Sequence, residues 1–86
     1  MNHIEEIENC KDILYLILEW RFAQTIWSKH YWMTNIIMLS RDLFDRLFID
    51  ELRSRERNDE NFINQLNQIV LERLEVLLND FRKLNL

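Results

Sequence analysis

Not one of the 86 residues is glycine or proline. The favoured tight hairpin turns place a residue at positive φ, which Gly supplies most readily, with Asn or Asp beside it. A compact β-domain of this length needs several such turns, so it is a poor solution for this chain. Thr is limited to Thr25 and Thr34 and Val is scarce, whereas Leu, Ile, Glu and Arg are plentiful. Leu, Glu and Arg are good helix formers, and Ile is accepted in a helix where it packs. The expected fold is therefore all-α, a small three-helix bundle that self-associates. A helical hairpin with one long bent helix is the alternative. With 48% apolar and 30% charged residues, the chain lies far from the composition of disorder. Its length leaves room for one core, so residues 1–86 read as a single helical domain.

The clearest boundary falls at Arg57-Asn58-Asp59-Glu60. Arg53, Arg55 and Arg57 suit a helix C-terminus, and Asn58 or Asp59 can cap the helix that follows. In that last helix Phe62, Ile63, Leu66, Ile69, Val70, Leu74, Leu77, Phe81 and Leu84 recur at three-and-four spacing and form one stripe. A middle helix runs from Thr34 or Asn35 to about Arg55. Its stripe includes Ile36, Leu43, Phe44, Leu47, Phe48 and Leu52, and Asp42→Arg46 is an i,i+4 pair on its polar side. Upstream, Ser28-Lys29-His30-Tyr31 reads either as a turn or as part of one continuous helix.

From Ile13 to Trp32 the apolar residues occur almost all round the helical circumference. A helix of that kind is covered on every side. Core-facing helices need about three apolar positions in seven, roughly 30 over the length of this chain, and the sequence supplies 41. The surplus is concentrated in residues 13–39, and a contiguous bulky surplus marks an interface. Trp20, Trp27 and Trp32 crowd together there with Tyr31, interleaved with Arg21 and His30. Trp, Tyr and Arg are the side chains most enriched among interface hot spots. These six residues are the candidate protein-binding set. Trp20 and Trp27, seven apart, share one face of a continuous helix, with Tyr31 a turn further on.

Chemistry of the chain's own finds little support. Cys10 is the only thiol, so no intramolecular disulfide or multi-cysteine metal site can form. His3 and His30 lack an acid three residues before them, which a di-metal bundle motif needs. No local group completes a nucleophile around Cys10, and the adjacent carboxylates point in different directions. Phosphate-cradling loops require glycine. The expectation is no enzyme, no catalytic, metal or cofactor residue, and no small-molecule substrate.

Charge narrows the partners. Residues 1–19 net −4, residues 20–40 net +2, residues 41–57 balance and residues 58–86 net −2. No face is uniformly basic, which argues against nucleic acid as a partner. Charged residues interrupt every apolar run before membrane-spanning length, and the start has no basic region ahead of an apolar one. A cytoplasmic protein is expected. The function expected is a helical protein-interaction module, a small regulator, adaptor or inhibitor acting through its aromatic-rich face. Its partner is a second copy of itself, with a different protein as a further possibility. Two alternatives stand beside it: a phage- or virus-type acidic antagonist that blocks a host nucleic-acid-handling enzyme, and a nucleic-acid-binding helical regulator.

Overall fold

Asn2 opens the first helix by accepting the Glu5 amide on its side-chain oxygen at 2.8 Å, with Glu5 and Glu6 placing negative charge in the first turn. In the computed structural model, which describes residues 2–84, this helix, α1, spans His3–Phe22. Ala23, in extended conformation, ends it. Thr25 then caps α2, Ile26–Leu43, by accepting the Ser28 amide at 3.0 Å. A second break at Phe44-Asp45 leads into α3, Arg46–Arg55, and Asn58 accepts the Asn61 amide at the start of α4, Asp59–Leu84. No described residue has positive φ, so the turns are made without the left-handed conformation that glycine adopts most readily.

Among the described residues every regular element is a helix and there is no strand. The three long helices α1, α2 and α4 make the body of the bundle, so the three-helix reading roughly fits, and the ten-residue α3 is a fourth element. Helix α1 packs against both α2 and α4, and α3 packs against α2. Two contacts orient α4 antiparallel to α1: His3 lies 3.8 Å from Asp80, and Arg21 donates to the Asn64 side chain at 3.2 Å.

The core lies along this junction. From α1 it takes Cys10, Ile13, Ile17 and Trp20, from α2 Met33, Ile36 and Leu43, and from α3 Ile49 and Leu52. From α4 it takes Phe62, Ile63, Leu66, Val70 and Leu77. The α4 stripe is thus buried at Phe62, Ile63, Leu66, Val70 and Leu77 and partly buried at Ile69 and Leu74, while Phe81 and Leu84 are exposed where the helix runs on.

The element boundaries correct the sequence reading in two places. The turn falls at 23–25, not at 28–31, and Thr34 and Asn35 lie within α2. Their side chains bond back to the carbonyls of His30 and Tyr31, at 2.9 and 2.8 Å. These caps-by-composition are spent inside a helix. Further on, the break at Phe44-Asp45 separates Asp42 from Arg46, so the expected pair cannot form within one helix. Arg46 instead lies 3.9 Å from Asp50, and Arg41 clamps both oxygens of that carboxylate at 2.7–3.0 Å. That clamp joins α2 to α3 across the break. Arg53 makes the equivalent link from α3 to Asp59 of α4 while lying 4.9 Å from the Phe62 ring. Among the described residues no helix is long and apolar enough to cross a membrane.

Candidate interaction surface

The break at 23–25 divides the aromatic segment between two helices. Trp20 and Trp27 therefore share no helix face, which corrects the continuous-helix reading. Trp20 points into the core and is only 3% exposed. Lys29, on the first turn of α2, lies 3.9 Å over its ring and donates to its backbone carbonyl at 2.9 Å. A cation held at the C-terminal carbonyls of α1 also opposes the helix dipole favourably. The Trp20 Nε1 has no hydrogen-bond partner among the described residues. Trp20 is thus a core residue that pins the α1–α2 hairpin.

The other five candidates separate by depth. Arg21 is exposed but engaged with Asn64 of α4. Trp32 is half-buried and packs on the core, and Tyr31 meets it edge-on with ring centroids 4.9 Å apart. Tyr31 is 60% exposed and Trp27 84%, and His30 lies in solvent between them. Of the six, Trp27, His30 and Tyr31 form outward surface, with Trp32 at its edge.

Geometry adds residues that composition did not single out. On α2, Trp27, Tyr31, Thr34 and Met38 follow one another at four, three and four residues, a single stripe on the side away from the buried Met33, Ile36 and Ser40. Met38 is as exposed as Tyr31. At the hairpin bend, Phe22 is 78% exposed and Ile26 84%. The three rings alone leave roughly 330–550 Å² in water, taking 150–250 Å² for a full aromatic side chain. Tyr15, Leu18 and Phe22 make a further outward row on α1 at three-and-four spacing. The signal was present in the sequence as the 27–31–34–38 spacing. It was hidden because helix phase cannot be assigned until the break is known.

The outward stripe of α2 carries no charge from Trp27 to Met38, and one turn beyond Met38 it meets Arg41 and Asp42. No acid occurs between Glu19 and Asp42. Of the basic residues in that interval, Arg21 binds Asn64 and Lys29 is drawn in against Trp20. What the stripe offers is ring, thioether and hydroxyl.

A second apolar feature lies between the α2–α3 break and α4. Phe44, Phe48, Ile69 and Val76 line an open groove of about 620 Å³, rimmed by Asp45, Glu72 and Arg73. Phe48 leans on Phe44 with centroids 5.9 Å apart. Arg73 stands 5.3 Å over the Phe44 ring and 3.6 Å from Glu6 of α1. The periodicity reading put Phe44 and Phe48 in a continuous core stripe. The helix break rotates α3 and leaves Leu47 and Phe48 partly in water.

Groups capable of chemistry are scattered. Cys10 is fully buried, and burial pushes its thiol above the ordinary value, with Arg73 pulling the other way and Glu6 adding to the rise. A protonated, enclosed thiol is a poor nucleophile. Among the described residues no group of three His, Cys, Asp or Glu side chains could hold a metal ion. Comparison of the chain with protein-family models, with curated proteins and with solved structures finds no match.

Proposed function

We propose that this chain is a non-enzymatic helical protein-interaction module whose contact surface is the outward face of the α1–α2 hairpin, centred on Trp27 and Tyr31. The observation that carries the reading is the exposure of Trp27. A large ring left 84% in water, at the start of a stripe that continues through Tyr31 and Met38, is the form a hot spot takes before its partner arrives. The core does not need these residues, because α2 already commits Met33, Ile36, Leu43 and the edge of Trp32 to it. Regulation, adaptation or inhibition then follows from what the surface occupies.

Electrostatics separates this reading from the two alternatives. An antagonist docking in a basic groove needs acids on its contact face, and the α2 stripe has none. A nucleic-acid binder needs uncommitted cations along a groove. Arg41, Arg53 and Arg73 instead pair with Asp50, Asp59 and Glu6. An apolar, uncharged partner surface is the better complement.

The test is capture by the immobilised chain of untagged copies of itself and of proteins from its native host. Wild type is compared with Trp27→Ser and with Val76→Ser, a control in the groove beside α4. Retention lost in Trp27→Ser and kept in Val76→Ser is the expected result. If Trp27→Ser retains whatever wild type retains, the surface is elsewhere and the reading fails.

A further inference from the structure

Building on that reading, we infer that the occupant of the α2 stripe is a second copy of this chain, paired antiparallel about a two-fold axis between Tyr31 and Thr34. Self-pairing brings each face against its own charges, so a stripe that meets itself must be nearly uncharged. The outward face of α2 satisfies this over Trp27, Tyr31, Thr34 and Met38, which span about 16 Å at 1.5 Å per residue.

The order of side-chain sizes selects the direction. In an antiparallel pair with this axis, Trp27 faces Met38 of the other copy and Tyr31 faces Thr34. Each large ring then meets a slimmer or more adaptable side chain, the alternation that lets facing layers interdigitate. A parallel pair would set Trp27 against Trp27 and Thr34 against Thr34, crowding one end and leaving a gap in the middle. Antiparallel helices also oppose their dipoles. By the same register Arg41 and Asp42, at the far end of the other copy's α2, arrive opposite residues 24 and 23, so the charged ends form the rim at the bend beside Phe22 and Ile26.

The apolar area reaches the low end of what a standard interface takes. The exposed parts of Trp27, Tyr31, Phe22, Ile26 and Met38 amount to about 400–700 Å² per copy. A standard interface takes roughly 600–1,000 Å² from each partner, polar rim included. An interface at the lower end of that range suits reversible pairing in the micromolar range.

Light scattering after size exclusion tests this at about 100 µM, where a micromolar interface is largely filled. Wild type is expected at twice the 10.8 kDa chain mass. Trp27→Lys and Met38→Glu each place a charge on the stripe and are expected to run as monomers, with helical content by circular dichroism unchanged, since both positions face solvent. An equal mixture of the two is expected to recover the dimer. In the antiparallel register the introduced lysine meets the introduced glutamate, and the second contact keeps its native Trp and Met. A monomeric wild type overturns the proposal. So does a dimer that survives both substitutions, or a mixture that stays monomeric. The capture assay distinguishes the two levels: a monomeric wild type that still retains another protein through Trp27 removes the second copy as occupant and leaves the interaction module standing.

Discussion

Cys10 has no route to water in the folded chain, and this couples stability to alkaline pH. Burial raises its thiol above its ordinary value of 9.0, partly offset by Arg73. The native state therefore holds the proton more tightly than the unfolded chain. Below about pH 9 both states are protonated and the stabilisation is fully present. Above it the unfolded chain ionises first, and stability falls by up to about 1.4 kcal/mol per pH unit until the native thiol also titrates. Tyr15 pushes in the same direction at higher pH, because its hydrogen bond to Glu19 and that residue's charge raise the phenol. The comparison is thus best made in a Tyr15→Phe background. Cys10→Ala carries a constant cost for the lost sulfur but not this slope. Urea midpoints of the two chains are expected to converge between about pH 8 and pH 10. A gap that stays constant shows that the thiol ionises equally in both states.

At the level of elements, the chain makes its turns with side-chain caps and cross-helix clamps where other proteins use glycine. The α1–α2 bend relies on Thr25 and on Lys29, which satisfies the Trp20 carbonyl and covers the Trp20 ring. Lys29→Met keeps the aliphatic stem and removes the charge. It is expected to cost about 1–2 kcal/mol, the sum of a helix-end cation and a cation–π contact, seen as a lower urea midpoint with unchanged helical content. An unchanged midpoint assigns the bend to packing alone. The same turn chemistry explains which elements were legible in the sequence. Helix α4 could be read because Asn58 caps it, arginines close the helix before it, and its stripe is uninterrupted. The all-helical class followed from the missing glycine and proline. The start of α2 could not be read, because Thr25 and Thr34 are equally good caps by type and the apolar residues around them show no phase. Nor could the break at Phe44-Asp45, where Asp45 is one of several acids and two phenylalanines continue an apparent stripe. Each error merged two helices into one. The first placed Trp20 on the surface beside Trp27, when the bend puts one in the core and the other in water, and the second placed Leu47 and Phe48 in a core stripe that the break turns toward solvent.

For the whole molecule, core and surface make opposite demands on similar residues. Four helices converge on a junction where α1 touches both α2 and α4, and every fully enclosed side chain there has neighbours it cannot lose cheaply. Leu66 is wholly buried on α4, so Leu66→Ala is expected to destabilise the fold by about 2–5 kcal/mol through lost burial and the cavity left behind. A domain of this size has on the order of 4–13 kcal/mol in total, so that one change removes a large share of it. Trp27 is a bigger side chain on the same scaffold, yet its ring stands in solvent. Trp27→Ser is expected to move the stability of the isolated protomer by no more than about 0.5 kcal/mol. Measured by urea unfolding well below micromolar concentration, where the proposed pairing is undone, the two variants should differ by several-fold in effect. At high concentration the contrast should shrink, because wild type then gains stability from association and Trp27→Ser does not. A Trp27→Ser chain that is as damaged as Leu66→Ala when dilute would mean that the ring supports the fold itself, and the surface could not then be assigned to a partner.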